Sequence, residues 1–146
     1  MGHIRVPHDR EMDPHDGWCP YHDDCLEGLA SGPAIYKRWG KRPEELPSSH
    51  PAWTLEARYL ALGVTNLVLT LSPKQIVMGG GVMKQGHLFP LLRQNVQDFL
   101  KGYVRSTKIL EQIETYITPS LLGDLSGVLG AIAMARDAVN SSTQVP

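Results

Sequence analysis

The sequence predicts an α/β fold, because apolar stretches with a helical period alternate with shorter stretches of strand type. Apolar residues recur every three or four positions from Trp53 to Leu71, which indicates an amphipathic helix with one buried face. The apolar run at residues 75–78 ends in three glycines, which is typical of a buried strand that enters a tight turn. With 146 residues and 42% hydrophobic side chains, the chain is long enough for one domain with its own core.

The first third of the chain predicts polar loops and one broken helix. Residues 7–18 are rich in Asp, His and Pro and have no apolar period, so we expect a loop there. A helix is expected from about Cys25, with an interruption at Gly32-Pro33, and it should continue through Trp39. Residues 41–51 contain three prolines and predict a second polar linker.

The remainder of the chain predicts further helices and a second strand. Residues 82–85 should begin a helix after the glycines, and residues 88–104 should form another. Residues 113–117 have a β-rich composition and predict a strand. Asp124 is placed to cap a last helix over residues 125–139.

One face of that last helix should be nearly bare, because its residues are small. The residues concerned are Gly127, Gly130 and Ala131. Close packing against another backbone is the favoured interpretation, ahead of contact with a ligand, and Asp124 is expected to act as a cap and not as a catalyst.

A cluster of metal-ligand residue types lies between residues 19 and 25. Cys19, His22 and Cys25 form a Cys-x2-His-x2-Cys run, which offers a divalent metal three ligands on one loop. Structural zinc takes four ligands, thiolate or imidazole, in a tetrahedron, and His3 is a candidate for the fourth. Glu27 follows at a predicted helix start, so the metal would hold a loop beside a carboxylate.

Two other interpretations of this cluster remain open. The two cysteines could form a small disulfide loop, or His22 could be a solvated surface residue with no ligand role. Disulfides belong to oxidising compartments, and the opening residues 1–5 contain no apolar signal stretch. Zinc is therefore the favoured interpretation.

The glycines at residues 79–81 are the second chemical feature. Glycine has no Cβ, so a ligand can approach the backbone closely at such a turn. A helix that begins at residue 82 would add free N–H groups, which favour an anion or a polar ligand. The pattern is neither G-x-G-x-x-G nor a Walker lysine motif, so a structural turn and a nucleotide contact are equally supported by it.

Composition and charge limit the classes of partner that the chain is expected to bind. The net charge is −1 and the basic residues are scattered, so no nucleic-acid partner is expected. The longest apolar stretch, residues 60–71, is interrupted by Thr65 and Asn66 and is too short to span a bilayer. We therefore expect a soluble, cytoplasmic protein with no membrane partner.

Three segments, taken in order, resemble a known family. They are Gly2-His3, the run Cys-Pro-Tyr-His-Asp-Asp-Cys-Leu-Glu-Gly-Leu-Ala-Ser-Gly-Pro-Ala at residues 19–34, and Ile-Val-Met-Gly-Gly-Gly-Val-Met at residues 76–83. They resemble the C-terminal half of ROK-family sugar kinases over residues 1 to about 139. The Cys-x2-His-x2-Cys spacing is similar to that of the zinc-containing bacterial fructokinase branch, whereas ROK glucokinases and repressors more usually show Cys-x-Cys-x4-Cys.

The resemblance implies an actin-like, ribonuclease H-like kinase fold, of which this chain is the second lobe with a zinc-clamped loop. Residues 1–39 would be the zinc and sugar segment, and residues 52–140 the nucleotide-side α/β core. The implied zinc ligands are His3, Cys19, His22 and Cys25, and the implied sugar contacts are Glu27 and His3. The implied nucleotide contacts are Pro33, Gly79, Gly80, Gly81, Val82, Met83, Lys84 and Gln85.

The implied activity is ATP-dependent phosphorylation of fructose or a related hexose. Zinc would be structural, Mg2+ would accompany ATP, and a homodimer is expected. The resemblance also implies that the N-terminal lobe is absent from this sequence, together with its phosphate loop, the aspartate that takes the sugar proton and the glutamate before Gly2. No catalytic residue is therefore expected in this chain, which should be inactive alone.

Two alternatives to the kinase remain. A ROK-type transcriptional regulator would require an N-terminal helix-turn-helix, which the sequence does not contain, and the Cys/His spacing argues against it. A non-catalytic zinc-bound sugar- or nucleotide-binding module is the other alternative, because the residues expected for catalysis are missing.

Overall fold

The N-terminal segment of the chain is irregular and leads into two short helices. The computed structural model describes residues 2–142, and the side chains of residues 141 and 142 are outside that description. Helix α1 is Leu26–Leu29 and helix α2 is Gly32–Trp39. The predicted interruption is present but lies at Ala30 and Ser31, and Gly32-Pro33 begin α2. Ser31 Oγ accepts a hydrogen bond from the Ala34 N–H at 3.3 Å, which caps α2.

The core forms where two long helices pack together. Helix α3, Ala52–Leu71, confirms the predicted amphipathic helix, and helix α4 is Leu88–Leu100. A one-turn 3-10 helix, Pro43–Glu45, precedes α3. The side chains buried in this core include Trp53, Ala57, Val64, Val68, Leu88, Leu92 and Val96. No helix of the described residues is apolar over a length that could cross a membrane.

Two short parallel strands pack beside α4. Strand β1, Ile76–Met78, pairs in register with β2, Ile117–Pro119, so that Ile76 lies opposite Ile117. The Arg93 guanidinium on α4 donates two hydrogen bonds to the Ile117 carbonyl oxygen, at 3.0 and 2.8 Å. Parallel strands joined through a helical crossover confirm the α/β class, although the strand content is small.

The predicted strand at residues 113–117 is wrong over most of its length. Residues Ile113–Tyr116 form one helical turn, α6, after another short helix, α5, Thr107–Leu110. Ile113 and Tyr116 are both buried, and a spacing of three places both on one face of a turn. The Thr115 hydroxyl also donates to the Gln112 carbonyl at 2.9 Å, which stabilises the turn. Burial therefore overrides the β-rich composition.

The predicted bounds of two helices also need correction. No α-helix begins at residue 82; Val82–Lys84 is a 3-10 turn, and Gln85 leaves the helical region with ψ 83. Helix α4 ends at Leu100 instead of residue 104, because Lys101 and Gly102 take left-handed conformations, with φ of 46 and 73.

The C-terminal helix differs from the prediction in its start and its packing. Asp124 lies in a 3-10 turn, Gly123–Leu125, where its Oδ1 is 2.7 Å from Lys84 Nζ, so it is an ion-pair partner and not a helix cap. Helix α7 is Ser126–Ser142. A Cβ at Gly127 or Gly130 would meet nothing within 4 Å, so among the described residues the expected close packing is wrong.

A buried ion pair fastens the loop at residues 7–18 to the helices. Asp13 is 1% exposed and accepts hydrogen bonds from Arg38 Nε and Nη2, both at 2.9 Å, and from the Tyr59 hydroxyl at 2.8 Å. Arg38 also donates to the Leu29 carbonyl at 3.2 Å, at the end of α1. Removal of one partner would leave a buried charge uncompensated, at a cost of about 3–5 kcal/mol.

Glu56 on α3 gives a prediction about pH. It is 1% exposed, and neither carboxylate oxygen has a hydrogen-bond partner among the described residues. Burial raises the pKa of Glu56 from 4.5 to about 8, so between these values the folded chain holds a proton that the unfolded chain has released. The contribution of protonated Glu56 to the free energy of unfolding is complete below pH about 4.5 and is lost as the pH rises through about 8.

We therefore expect the free energy of unfolding to fall by up to about 1.4 kcal/mol per pH unit as the pH rises from about 5 to about 8. Urea denaturation at several pH values measures this slope. Glu56→Gln should flatten it, whereas Glu111→Gln, at an exposed glutamate, should leave it unchanged. Equal slopes for the wild-type and Glu56→Gln chains would contradict the raised pKa of Glu56 as the cause of the pH dependence.

Candidate metal centre and substrate groove

Four metal-ligand side chains from two separate segments converge at one point. One ligand atom from each of His3, Cys19, His22 and Cys25 lies within 4.8 Å of all the others. His3 Nδ1 is 3.5 Å from Cys19 Sγ and 3.7 Å from Cys25 Sγ, and His22 Nδ1 is 3.8 Å from Cys19 Sγ. A tetrahedral zinc with ordinary bond lengths separates sulfur and nitrogen ligands by about 3.5 Å. These residues fit zinc, and both cysteines are free thiols.

The loop that carries three of the ligands is held by its own backbone. The Asp23 N–H donates to the Cys19 carbonyl at 3.0 Å, and the Cys19 N–H donates to the Asp23 carbonyl at 3.2 Å. A Cβ at Gly17 or at Gly28 would overlap the Asp23 carbonyl oxygen, so only glycine permits this packing. Gly28 therefore lets α1 lie directly against the ligand loop.

The surroundings of the two sulfur atoms differ. Burial acts to raise the pKa of Cys19, but the amide N–H groups of Tyr21 and His22 donate to its sulfur, and its pKa is held below its ordinary value. Burial raises the pKa of Cys25 above its ordinary value. A shared divalent cation would compensate the charge of both thiolates in this small buried volume.

Arg5 joins the His3 segment to the ligand loop. Its backbone forms an antiparallel bridge with Cys25. Its Nη1 donates to the His22 carbonyl at 3.0 Å, and its Nη2 lies 2.7 Å from Asp24 Oδ1. Residues that hydrogen-bond to metal ligands, without binding the metal themselves, commonly fix the orientation of those ligands. Sequence reasoning missed this role because nothing in the residue pattern marks Arg5, which contacts residues 17 or more positions away.

Glu27 lies beside the ligand cluster, as the sequence indicates. It is the second residue of α1, and its N–H donates to the Gly2 carbonyl at 2.8 Å. Its Oε2 is 3.6 Å from His3 Nε2, and about half of each side chain is exposed. His3 therefore directs Nδ1 to the sulfur atoms and Nε2 towards the Glu27 carboxylate, which stays open to solvent.

All the residues predicted to contact a nucleotide line one groove of about 740 Å³. The lining consists of Pro33 near the start of α2 together with the glycine turn and 3-10 helix at residues 79–85. Gly80 takes φ 101, which favours glycine. The N-terminus of α2, capped by Ser31, lies at this groove. Since no α-helix begins at residue 82, the free N–H groups expected there are not supplied by a helix.

The groove has two charged features that sequence reasoning did not find: the side chain of Glu44, and the ion pair formed by the predicted contact Lys84. Glu44, in the 3-10 helix before α3, lines the groove. Lys84 lines it too, and its ammonium group pairs with Asp124 at 2.7 Å. Both features depend on contacts between segments that are far apart in sequence, so no local pattern reveals them.

Comparison with known proteins identifies the class of the chain. The model of the ROK family matches residues 1–138, and the chain belongs to the ROK family. It is 40% identical over 141 residues to a protein of Bacillus subtilis (strain 168) named "Putative fructokinase", and 37% identical over 142 residues to a fructokinase of Pediococcus pentosaceus. Each match covers 97% of this chain but only 47% or 48% of the relative, so the chain spans about half the length of these relatives.

A solved structure supports the fold. The chain superposes on a protein of Cytophaga hutchinsonii described as a "putative sugar kinase", with a TM-score of 0.59 and 14% sequence identity. The match covers 90% of this chain and 50% of that protein. Together with the family membership, this likeness supports the expected actin-like kinase fold, of which this chain forms about half.

The ligand geometry predicts that the purified chain binds about one zinc ion. Cys25→Ala should lose the zinc and loosen the ligand loop at residues 19–25, because the structure places Cys25 in the ligand cluster at 0% exposure. The loop at residues 7–18, which the sequence alone would also expect to loosen, should stay held by the ion pair of Asp13 with Arg38. Metal analysis of unchelated protein and limited proteolysis of both loops measure these effects.

Asp23→Asn is the matched control. It lies in the same loop outside the ligand cluster, and asparagine tolerates its left-handed φ of 51. This variant should retain zinc. Wild-type protein without zinc, or Cys25→Ala with full zinc content, would contradict the site.

Proposed function

We propose that this chain supplies the zinc-stabilised sugar-binding wall and the nucleotide groove of an ATP-dependent, fructokinase-type sugar kinase. The observation that carries the proposal is the short distance along the chain between the two features. Glu27 stands beside the ligand cluster, and the groove begins at Ala30, directly after α1. A sugar at Glu27 and a nucleotide in the groove would therefore be neighbours, as transfer of a phosphoryl group requires.

Glu27 is the proposed contact to the sugar. An ionised carboxylate accepts hydrogen bonds from two hydroxyl groups, and such bonds are stronger than those between neutral groups. The side chain is about half exposed, so a ligand can reach it. His3 would share this face through Nε2 while Nδ1 binds zinc. A bound zinc supplies no chemistry to the sugar; it fixes the positions of His3 and the loop.

The groove is the proposed nucleotide site. Glycines at residues 79–81 let a base or ribose approach the backbone, and Lys84 could exchange Asp124 for a phosphate oxygen. Mg2+ would arrive with ATP and neutralise phosphate charge. The residues of this chain bind and orient the substrates, whereas the base and the phosphate loop are expected in the half of the relatives that this chain does not match. The homodimer stays a prediction.

This division of roles predicts that the isolated chain does not phosphorylate fructose. A chimaera that joins the unmatched half of the Pediococcus pentosaceus fructokinase to this chain, in the order of the relative, should have ATP-dependent fructokinase activity. A coupled assay for ADP release, on preparations free of host kinases, measures the activity of the isolated chain and of the chimaera. Activity of the isolated chain would show that the catalytic residues are misplaced. A folded but inactive chimaera would favour the non-catalytic binding module.

Glu27→Ala in this chimaera tests the sugar contact. Loss of one or two charge-assisted hydrogen bonds, each about 1.5–3 kcal/mol, should lower kcat/KM for fructose at least about tenfold. Glu27→Gln should recover part of the loss, because the amide keeps one acceptor oxygen. The KM for ATP and the zinc content should stay unchanged. Unaltered fructose kinetics for Glu27→Ala would remove this residue from the site.

A further inference from the structure

A second cavity, distinct from the groove, is lined by residues of two neighbouring loops and of α2. It has a volume of about 730 Å³, and its lining consists of residues 14–20, Asp23 and Lys37. It shares no residue with the groove proposed for the nucleotide, and it includes neither His3 nor Glu27. Small-molecule sites commonly have volumes of about 300–1,000 Å³. The cavity is therefore large enough for a small ligand of its own.

An exposed indole ring forms the apolar part of this lining. Trp18 is 50% exposed, and the lining residues Pro14 and Pro20 are exposed as well. The backbone of Trp18 is fixed, because its N–H donates to the Gly28 carbonyl at the end of α1 at 2.7 Å. A fixed aromatic ring beside polar groups offers a flat apolar face to the C–H groups of a ligand ring.

Two hydrogen-bond donors line the same cavity. Lys37 Nζ lies 4.3 Å from the centroid of the Trp18 ring, and within residues 2–142 it has no carboxylate partner. The Gly17 N–H donates to His15 Nδ1 at 3.0 Å, so the neutral ring carries its proton on Nε2. Burial and the charge of Arg38 lower the pKa of His15 below its ordinary value, which keeps the ring neutral at pH 7.

The charges of the lining balance one another. Asp16 Oδ1 is 2.6 Å from Arg10 Nη1 and is thereby neutralised. The remaining charges are the Lys37 ammonium and the carboxylate of Asp23, which has no ion pair among the described residues. A phosphate dianion would meet the carboxylate, and an organic cation would meet the ammonium group. A neutral polyol avoids both conflicts, because each hydroxyl group can donate to a carboxylate and accept from an ammonium or an imidazole N–H.

We propose that this cavity is a second saccharide site, which takes a neutral mono- or disaccharide against the Trp18 ring. Lys37 and the Nε2–H of His15 donate to hydroxyl oxygens of the sugar, and Asp23 accepts from a hydroxyl group. The inference rests on the chemistry of the lining and not on the proposed kinase activity, and it does not require Glu27. Because Asp23 belongs to the ligand loop, the occupant contacts that loop directly.

Titration of the zinc-loaded Glu27→Ala chain with fructose or with sucrose tests the proposal, because this variant lacks the proposed sugar contact of the kinase site. The indole N–H resonances in a 1H–15N spectrum report the binding position. We expect the Trp18 resonance to shift, whereas the resonances of Trp39 and Trp53, which lie outside the cavity, should stay in place. Fructose 6-phosphate should bind no more tightly than fructose, because its phosphate would meet Asp23.

Two sets of further substitutions in the Glu27→Ala chain identify the residues that bind the sugar. Trp18→Ala should weaken binding at least about tenfold, whereas Trp18→Phe should retain most of it, because a flat aromatic face remains. Lys37→Met should weaken binding at least about fivefold, and Lys41→Met, at an exposed lysine outside the cavity, should not. Saturation-transfer NMR of the sugar measures binding in every variant. Zinc content and Tm should stay unchanged, which shows that each variant is folded.

Equal sugar binding with and without the Trp18→Ala substitution would overturn the proposal. So would the absence of fructose and sucrose binding to the Glu27→Ala chain. Binding of fructose 6-phosphate at least about tenfold more tightly than fructose would assign the cavity to an anion and contradict a neutral ligand. If Trp18→Ala fails to fold, the comparison of Lys37→Met with Lys41→Met decides. Failure of the proposed kinase site would appear in the fructose kinetics of the chimaera, which do not involve this cavity.

Discussion

The meeting of His3 with the loop at residues 19–25 is the contact on which the rest of the site depends. It brings two segments together, with His3 Nδ1 within 3.7 Å of both cysteine sulfurs. Arg5 holds the segments in register through the backbone of Cys25. Glu27 then follows the loop directly and hydrogen-bonds to Gly2, so the carboxylate is placed by the same contact. Two thiols and two imidazoles at these distances offer a divalent cation four ligands.

The ligand-type residues of the site were largely predictable from the sequence, whereas the contacts that hold them in place were not. The spacing of Cys19, His22 and Cys25 is local, and so is the turn of glycines after a buried strand. Such patterns can be recognised from a few neighbouring residues. The burial of Asp13 with Arg38, by contrast, joins residues 25 positions apart. The strand predicted at residues 113–117 failed for a related reason, because tertiary burial of two side chains selected a helical turn.

The small sheet and the exposed last helix are consistent with a chain that spans about half the length of its relatives. Two parallel strands rarely form a stable sheet by themselves, and such sheets are usually covered on both faces. Here the packing of α3 on α4 supplies the core, while Met78 at the end of β1 and the glycines that follow it line the groove. The same glycines would therefore support both the turn and close approach of a nucleotide.

The central claim is that zinc organises this site through two sulfur and two nitrogen ligands. X-ray absorption at the zinc edge of the purified chain tests it most directly. We expect two sulfur scatterers at about 2.3 Å and two nitrogen scatterers at about 2.0–2.1 Å, with one nitrogen lost in His3→Ala. A shell of oxygen ligands, or a spectrum unchanged in His3→Ala, would contradict the account.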